Sequence, residues 1–336
     1  MDERILVGGF AAICLILAYS CSCIWSVVFY IGLIRLITLY SSIAHFINKF
    51  FIRKRLDLIS RYGEGSYALI TGGANGIGLE YALQLAATGF NLILIDLDGE
   101  GLDRSKKQIL EKSPNSKIET ITCNLVQMTT PESYEELLKA VDDLDISIVM
   151  NNAGIADYHT FHETKPQSVS NVIQVNAVAV LAFTKIFYNR LLKREQRSAI
   201  VNMSSGVGLA SNKLVPIYPS TKAFVKYLTE GLNEEAQGKM DFLYVYPGAV
   251  STNSTGFRKA LDSCTPDVIA TNVLNSLGQD QYTAGYWLHD IGASGVESMF
   301  YSNRDLYRFA EDFAVEKTGL GKDLRDIAVG QDKKNK

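Results

Sequence analysis

The sequence lacks several features that would place it in a specialised class. Only five cysteines occur in 336 residues, which excludes a disulfide scaffold. The formal net charge is −3, so the chain has no strongly basic character and we expect no nucleic-acid partner. No repeat or low-complexity tract is present, and a hydrophobic content of 47% excludes disorder. The length fits one large α/β domain with an appendage, or two small domains.

Charge is unevenly distributed along the chain. Residues 1–63 hold seven Lys and Arg against three acids, a net charge of +4, which leaves 26 against 33, or −7, for the remainder. A basic, apolar head on an acidic body suggests an enzyme attached to a membrane. A cleft for an anionic substrate could still be locally basic.

Residues 5–34 form a run of thirty without a single charge. A transmembrane helix needs about 20 apolar residues, so the run fits one tilted span or a tight hairpin. A cleaved signal peptide has a shorter apolar region of about 7–15 residues, and no small-residue cleavage site closes this one. We therefore predict an anchor at 1–40 and a basic juxtamembrane linker at 41–65. Lys49 and the basic residues at 53–55 follow the run, which places its C-terminal side in the cytosol.

Strand and helix patterns alternate from residue 66 to 325, and a basic tail follows at 326–336. Helical segments are predicted near 132–144, 166–193 and 217–237. Such alternation predicts an α/β fold, a doubly wound parallel sheet in a single domain. The cysteines and histidines lack metal-ligand spacing, so no metal site is expected. The six predicted strands are 67–71, 91–95, 117–123, 146–150, 199–203 and 242–246.

A glycine-rich run, Thr-Gly-Gly-Ala-Asn-Gly-Ile-Gly at 71–78, lies where the first strand turns into the first helix. Glycines let a backbone approach a pyrophosphate there, and the helix N-terminus supplies N–H donors. Asp96 ends the second strand, 24 residues after Gly72. A carboxylate at that point accepts hydrogen bonds from the hydroxyls of an adenosine ribose and repels a 2′-phosphate, which favours NAD(H) over NADP(H). The nearby Asp98 leaves the register open.

Three further elements follow later strands. Asn-Asn-Ala-Gly at 151–154 follows the fourth strand, and Asn176 lies in the long apolar helix that comes next. The fifth strand ends in Ser204 and Ser205, thirteen residues before Tyr218. Tyr218 and Lys222 are spaced i, i+4 on one helix face, and a nearby ammonium should lower the pKa of the phenol. Pro219 is tolerated only in a first turn, so Tyr218 is expected at the helix start. Pro-Gly-Ala-Val-Ser-Thr at 247–252 follows the sixth strand.

In this order and spacing, the elements resemble the short-chain dehydrogenase/reductase family over residues 62–260, which has a Rossmann-type fold. The anchor, the run 218–225 and the run 283–289 are similar to one microsomal branch of it. That branch contains very-long-chain 3-oxoacyl-CoA reductases and 17β-hydroxysteroid dehydrogenases. The ending Lys333-Lys334-Asn335-Lys336 resembles a dilysine signal for the endoplasmic reticulum, which acts on the cytosolic side. The resemblance implies an endoplasmic reticulum membrane protein with a cytosolic catalytic domain.

The resemblance also implies the site. Tyr218 would be the general acid or base, Lys222 would lower its pKa and hold the nicotinamide ribose, and Ser205 would bind the substrate oxygen. Asn176 would position a water molecule beside Lys222. Residues 253–271 would form a substrate lid, and His159 and His162 lie in a loop over the cleft. Implied cofactor contacts, besides Tyr218 and Lys222, are Thr71, Gly72, Asn75, Gly76, Ile77, Gly78, Asp96, Asn124, Leu125, Asn152, Ala153, Gly154, Pro247, Gly248, Val250 and Thr252.

Two positions depart from the branch. Its members usually prefer NADPH and carry a basic residue near the position of Asp96, and Asn124 stands where the family commonly has an Asp. We expect hydride transfer between a nicotinamide cofactor and a lipid carbonyl or alcohol: a hydroxysteroid, a retinoid or a long-chain 3-oxoacyl-CoA. The alternatives are a catalytically silent membrane-bound scaffold and a soluble enzyme with a removed leader. Dimers through the long helices are usual in this family, and the oligomeric state stays open.

Overall fold

The computed structural model describes residues 3–212, 215–252 and 263–317. These residues belong to two compact units, one ending at Arg53 and the other beginning at Lys54. Two predicted features fall outside the described residues: the basic tail at 326–336 and residues 253–262 of the lid.

The first unit is dominated by one helix, α1 (Glu3–Ile47), followed by a π-helical turn at Asn48–Ile52. Its 45 residues extend for about 68 Å, more than twice the roughly 30 Å of a bilayer's hydrocarbon core. The helix passes through the whole apolar run without interruption, which rules out the hairpin. The segment Ile24–Ile52 is long and apolar enough to cross a membrane, and no residue of its most apolar stretch is buried. α1 is therefore a candidate membrane anchor.

The second unit is built on a seven-stranded parallel sheet with the order β3-β2-β1-β4-β5-β6-β7. All residues of β1 are buried, as expected for a central strand covered on both faces. The chain leaves β1 toward β2 on one side and later enters β4 on the other, so a crevice opens at the carboxyl edge between them. The strands are β1 (Tyr67–Thr71), β2 (Asn91–Asp96), β3 (Ile118–Thr122), β4 (Ile146–Asn151), β5 (Ala199–Met203), β6 (Asp241–Val245) and β7 (Tyr282–Thr283).

Helices cover both faces of this sheet. One apolar core lies between the sheet and α2, α3, α4 and α9, and a second lies beneath α5, α7 and the end of α8. Local signals start several of them: Asp98 accepts from the Gly101 N–H at the start of α4, and Thr130 caps α5. The helices are α2 (Leu58–Tyr62), α3 (Gly76–Thr88), α4 (Gly99–Lys112), α5 (Pro131–Leu138), α6 (Pro166–Ile173), α7 (Ala179–Leu192), α8 (Ile217–Glu235), α9 (Pro266–Ser276), α10 (Trp287–Ser302) and α11 (Arg304–Lys317).

An ion-pair cluster fastens α2 to the start of β6. Arg61 donates to Asp241 through Nε at 2.7 Å and Nη2 at 2.9 Å, and the Tyr62 hydroxyl donates to the same carboxylate at 2.8 Å. Arg197 adds a contact at 3.0 Å. Leu58 and Tyr62 are fully buried, so the end of the predicted linker is packed within the second unit.

The predicted α/β fold class is confirmed, and all six predicted strands are present with their ends shifted by one residue at most. The seventh strand, β7, is two residues long and too short to leave a periodic pattern. Helices α9 to α11 were not predicted. The predicted helix at 166–193 is α6 and α7 joined by a π-helical turn at Gln174–Val178.

Candidate active site

The glycine-rich turn between β1 and α3 is formed by backbone that only glycine accommodates well. Gly72 and Gly76 have φ values of +72° and +59°. A Cβ on Gly78 would lie 2.0 Å from the Gly72 carbonyl oxygen, so the first turn of α3 is pressed against the turn. The side chain of Asn75 precedes the helix and makes no capping hydrogen bond. A tight cradle of this kind at a helix N-terminus fits a pyrophosphate.

The turn after β4 is bonded directly to the glycine-rich turn. Asn152 Nδ2 donates to the carbonyls of Thr71 at 3.0 Å and Gly72 at 3.2 Å. In return, Thr71 Oγ1 accepts from the backbone N–H groups of Asn152 at 3.1 Å and Ala153 at 3.0 Å. These four bonds hold the crevice between β1 and β4 in a defined shape.

Asp96 faces the glycine-rich turn at the end of β2. Its Oδ2 accepts from the Ala74 N–H at 3.0 Å, and its Oδ1 accepts from the Asp98 N–H at 3.1 Å. Asp98 caps α4 and pairs with Arg104 instead, which resolves the register that the sequence left open. Asp96 therefore contributes the carboxylate nearest the turn.

Asn124, another expected cofactor contact, caps a short 3₁₀ helix at Leu125–Gln127.

Asn176 lies in the π-helical turn between α6 and α7 and is fully buried. Its Oδ1 accepts from the Ile155 N–H at 2.9 Å, and its Nδ2 donates to the Ile155 carbonyl at 2.8 Å and to Thr221 Oγ1 at 3.2 Å. The Asn176 amide is thus bonded to the backbone of Ile155 and, through Thr221, to α8. π-helical turns are often found at functional sites.

Ser205, Tyr218 and Lys222 converge above the end of β5. The hydroxyls of Ser205 and Tyr218 are hydrogen-bonded, and Lys222 Nζ lies 5.7 Å from the centre of the Tyr218 ring. Lys222 Nζ donates to the Met203 carbonyl at 2.9 Å. Tyr218 is the second residue of α8, at the helix start as predicted from Pro219. Ser204, the neighbour of Ser205, donates to the Lys222 carbonyl at 2.8 Å and so braces the helix.

Burial controls the proton affinities in this cluster. The Tyr218 side chain is partly accessible, but desolvation raises the pKa of its hydroxyl above the ordinary 10, and the Ser205 bond opposes the rise. The same desolvation lowers the pKa of Lys222 from 10.5 to about 8. The net shift of the Tyr218 pKa is therefore upward, opposite to the expected lowering by Lys222, because desolvation of the phenolate is the largest cause. The phenol is protonated at neutral pH.

The segment after β6 connects the two ends of the site. The Pro247 carbonyl accepts from the Gly206 N–H at 2.9 Å. Gly248 leaves room for His289, whose ring would lie 2.7 Å from a Cβ at that position. Further on, Val250 forms a bridge with Cys264, and the Thr252 methyl lies 3.6 Å from where a Gly76 Cβ would be. The segment that follows β6 therefore lies beside Ser205 at one end and beside the glycine-rich turn at the other.

Some residues of the site were not found from the sequence. The ring of Tyr158 lies 6.3 Å from that of Tyr218. Its neighbour Asp157 is buried. Asp157 Oδ1 accepts from the His159 N–H at 2.9 Å and lies 2.6 Å from His159 Nδ1, and Asp157 Oδ2 accepts from the Ser168 hydroxyl. This loop carries the histidines that were noted as lying over the cleft, but no local pattern marks Tyr158.

Within the described ranges, no group of three or more His, Cys, Asp and Glu could hold a metal ion.

Comparison with known proteins agrees with this geometry. The family model for short chain dehydrogenases matches residues 66–261. A very-long-chain 3-oxoacyl-CoA reductase from Macaca fascicularis is 32% identical over 68% of this chain and 73% of its own length. Its counterpart from Coccidioides immitis is 30% identical over 81% of each chain.

A solved structure of a short-chain dehydrogenase from Sphingobium yanoikuyae in complex with NADPH superposes with a TM-score of 0.60 at 26% identity. The superposition covers 71% of this chain and 96% of that one. The glycine-rich cradle fits a nicotinamide dinucleotide, and the expected family and microsomal branch are confirmed. The chain belongs to the short-chain dehydrogenase/reductase family and is an NAD(P)-dependent oxidoreductase that acts on CH–OH groups.

Proposed function

We propose that this protein reduces the 3-oxo group of a long-chain acyl-CoA, with Tyr218 as the proton donor. The observation that carries the proposal is the convergence of Ser205, Tyr218 and Lys222 above the end of β5, beside the glycine-rich cradle. A phenol whose pKa is raised holds its proton at neutral pH, which suits an acid that protonates the oxygen of a ketone. The 3-oxoacyl-CoA reductases among the relatives support this substrate class.

Each residue of the cluster has a task in this reduction. A bound nicotinamide cofactor would supply the hydride for the carbonyl carbon. Tyr218 transfers its proton to the carbonyl oxygen, and Ser205 hydrogen-bonds that oxygen as negative charge develops. Lys222 keeps an ammonium near the phenol, and Asn176 positions α8 through Thr221. The cradle from Gly72 to Gly78, with Asn152, Gly154 and Thr252, would hold the cofactor.

The anchor supports a substrate that partitions into a membrane. The exposed apolar helix α1 and the basic residues that follow it favour anchoring with the catalytic unit in the cytosol. The microsomal reductase relatives favour the endoplasmic reticulum. A long-chain acyl-CoA is such a substrate, and the same argument admits a steroid or retinoid.

The test is a substrate panel with the full-length protein in detergent. A 3-oxoacyl-CoA, a 17-ketosteroid and a retinal are each supplied with NADH or NADPH, and nicotinamide absorbance is followed. Tyr218→Phe should lower kcat about a thousandfold, since acid catalysis contributes about 10²–10⁴-fold. The matched control is Tyr227→Phe, an exposed tyrosine on the same helix that should keep wild-type activity. Turnover of the steroid or retinal alone would contradict the proposed substrate, and cofactor binding without any turnover would support a silent scaffold.

We further propose that Asp96 makes NADH the preferred cofactor. Its carboxylate sits at the end of β2 beside the glycine-rich turn, where a ribose 2′-phosphate would meet a like charge. At an effective dielectric constant of about 20 and a separation of roughly 6–12 Å, this repulsion is worth about 1.4–2.8 kcal/mol, or about 10- to 100-fold. Asp96→Ala should shift the ratio of kcat/KM values toward NADPH by that factor. The exposed Asp103 on α4 provides the control Asp103→Ala, and a wild type that prefers NADPH would refute the argument.

A further inference from the structure

A second cavity lies away from the glycine-rich turn, beside the paired helices α10 and α11. Its volume is about 320 Å³, within the range of small-molecule sites. The loop that contains Ser211 and Asn212 closes one side, and one face of α11 closes the other. None of the residues that hold the proposed cofactor lines it.

The lining of this cavity is basic. Arg304 and Arg308 are one turn apart on α11 and both line the cavity, with Asp312 a turn further on. Two guanidinium groups against one carboxylate give the lining a formal charge of +1, in a body whose charge beyond residue 63 is −7. Phe300 adds a flat aromatic ring, and the Arg304 guanidinium lies 4.8 Å from its centre. Guanidinium groups bind phosphate oxygens, and planar bases stack on aromatic rings.

The cavity is connected to the reacting groups by a single loop. The Tyr307 hydroxyl on α11 donates to the Ser211 carbonyl at 2.7 Å. Ser211 follows Ser205 by six residues, after the 3₁₀ turn Gly206–Leu209. A ligand that spans both sites would place its reactive end at Ser205 and Tyr218 and its charged end in the cavity.

We propose that this cavity binds the phosphorylated adenosine headgroup of the acyl-CoA substrate. The proposal rests on the reductase function proposed above and adds its substrate subsite. Arg304 and Arg308 would pair with the phosphates, and Phe300 would stack with the adenine. A free phosphate shares the anionic chemistry, but it would not use the aromatic ring, so the nucleotide is the ligand that the lining as a whole fits.

The experiment compares two thioesters of one 3-oxoacyl chain in the full-length protein: the CoA ester and the N-acetylcysteamine ester, which lacks phosphates and adenosine. In Arg304→Gln/Arg308→Gln, the ratio of kcat/KM for the CoA ester to that for the short ester should fall about tenfold, and by less in 0.5 M salt. The matched control is Lys117→Gln/Lys239→Gln, which removes two exposed charges that precede β3 and β6. Arg304→Lys/Arg308→Lys should recover part of the ratio.

A direct titration separates this proposal from the reductase proposal. Free CoA is titrated calorimetrically, with adenosine 3′,5′-bisphosphate and inorganic phosphate as competitors. Arginine-dependent CoA binding supports the subsite even if no thioester is reduced, in which case the reductase proposal alone fails. An unchanged ratio in a variant that still reduces both esters would overturn the subsite alone. Equal competition by inorganic phosphate would also overturn it, because the cavity would then bind only a simple anion.

Discussion

Replacing Gly78 with alanine tests the geometry on which the cofactor cradle depends. The added Cβ would lie 2.0 Å from the Gly72 carbonyl oxygen and 2.7 Å from Asn152 Nδ2. Ordinary carbon–oxygen contacts are no shorter than about 3.3 Å, so the start of α3 must move outward by roughly 1 Å. On one side the added methyl group meets the backbone carbonyl of Gly72. On the other it meets the side-chain amide of Asn152, which is held by two hydrogen bonds. Neither group can rotate away.

The cost of this change follows from the overlap. Overpacking of this kind costs about 1–3 kcal/mol, and loosening the Asn152 bonds adds about 1 kcal/mol more. For a unit of this size, each kcal/mol shifts Tm by about 2–4 °C, so Gly78→Ala should melt roughly 4–16 °C below the wild type. A displacement of about 1 Å in a binding element can cost about 100-fold, and we expect that loss in NADH affinity.

The assay is thermal unfolding of the full-length protein by circular dichroism, with a fluorescence titration of NADH. Gly231→Ala is the matched control, because Gly231 lies inside α8 with no atom within 4 Å of its Cβ position. There the alanine should stabilise the helix by about 0.5–1 kcal/mol and leave NADH affinity unchanged. Wild-type melting and wild-type NADH affinity in Gly78→Ala would refute the close approach of α3 to the glycine-rich turn.

Two further predictions concern charged groups in the second unit. The pKa of Lys222 is about 8 when folded and 10.5 ordinarily, so the folded state loses this proton first as pH rises. The free energy of unfolding of the wild type, relative to that of Lys222→Met, should therefore increase by roughly 3 kcal/mol between pH 8 and 10.5. If the urea midpoints of the two proteins differed by the same amount throughout this range, the burial of the ammonium would be contradicted. Asp241→Ala leaves Arg61, Tyr62 and Arg197 without their shared acceptor and should cost about 3 kcal/mol of unfolding free energy. Asp241 begins β6, at the edge opposite the site, so a weakened NADH affinity in this variant would contradict its purely structural role.

Much of the architecture could be predicted because it depends on local patterns. Central parallel strands are apolar on both faces, so six of them stand out from the amphipathic helices. The glycine-rich run and the spacing of Tyr218 and Lys222 also act locally: the first permits a turn with positive φ, and the second aligns two side chains on one helix face. Tyr218 lies at a helix start because Pro219 cannot sit deeper in a helix.

Other properties depend on contacts between distant parts of the chain, and these only the tertiary structure decided. Desolvation raises the pKa of Tyr218, and this desolvation is caused by all the groups packed around its hydroxyl. The ring of Tyr158 meets Tyr218 across 60 residues of sequence. Arg304 and Arg308 line a cavity together with Ser211, and Tyr307 bonds to Ser211 across 96 residues of sequence. The sequence by itself determined the fold class and predicted the reacting groups, whereas long-range packing decided their proton affinities and the surroundings in which a substrate would bind.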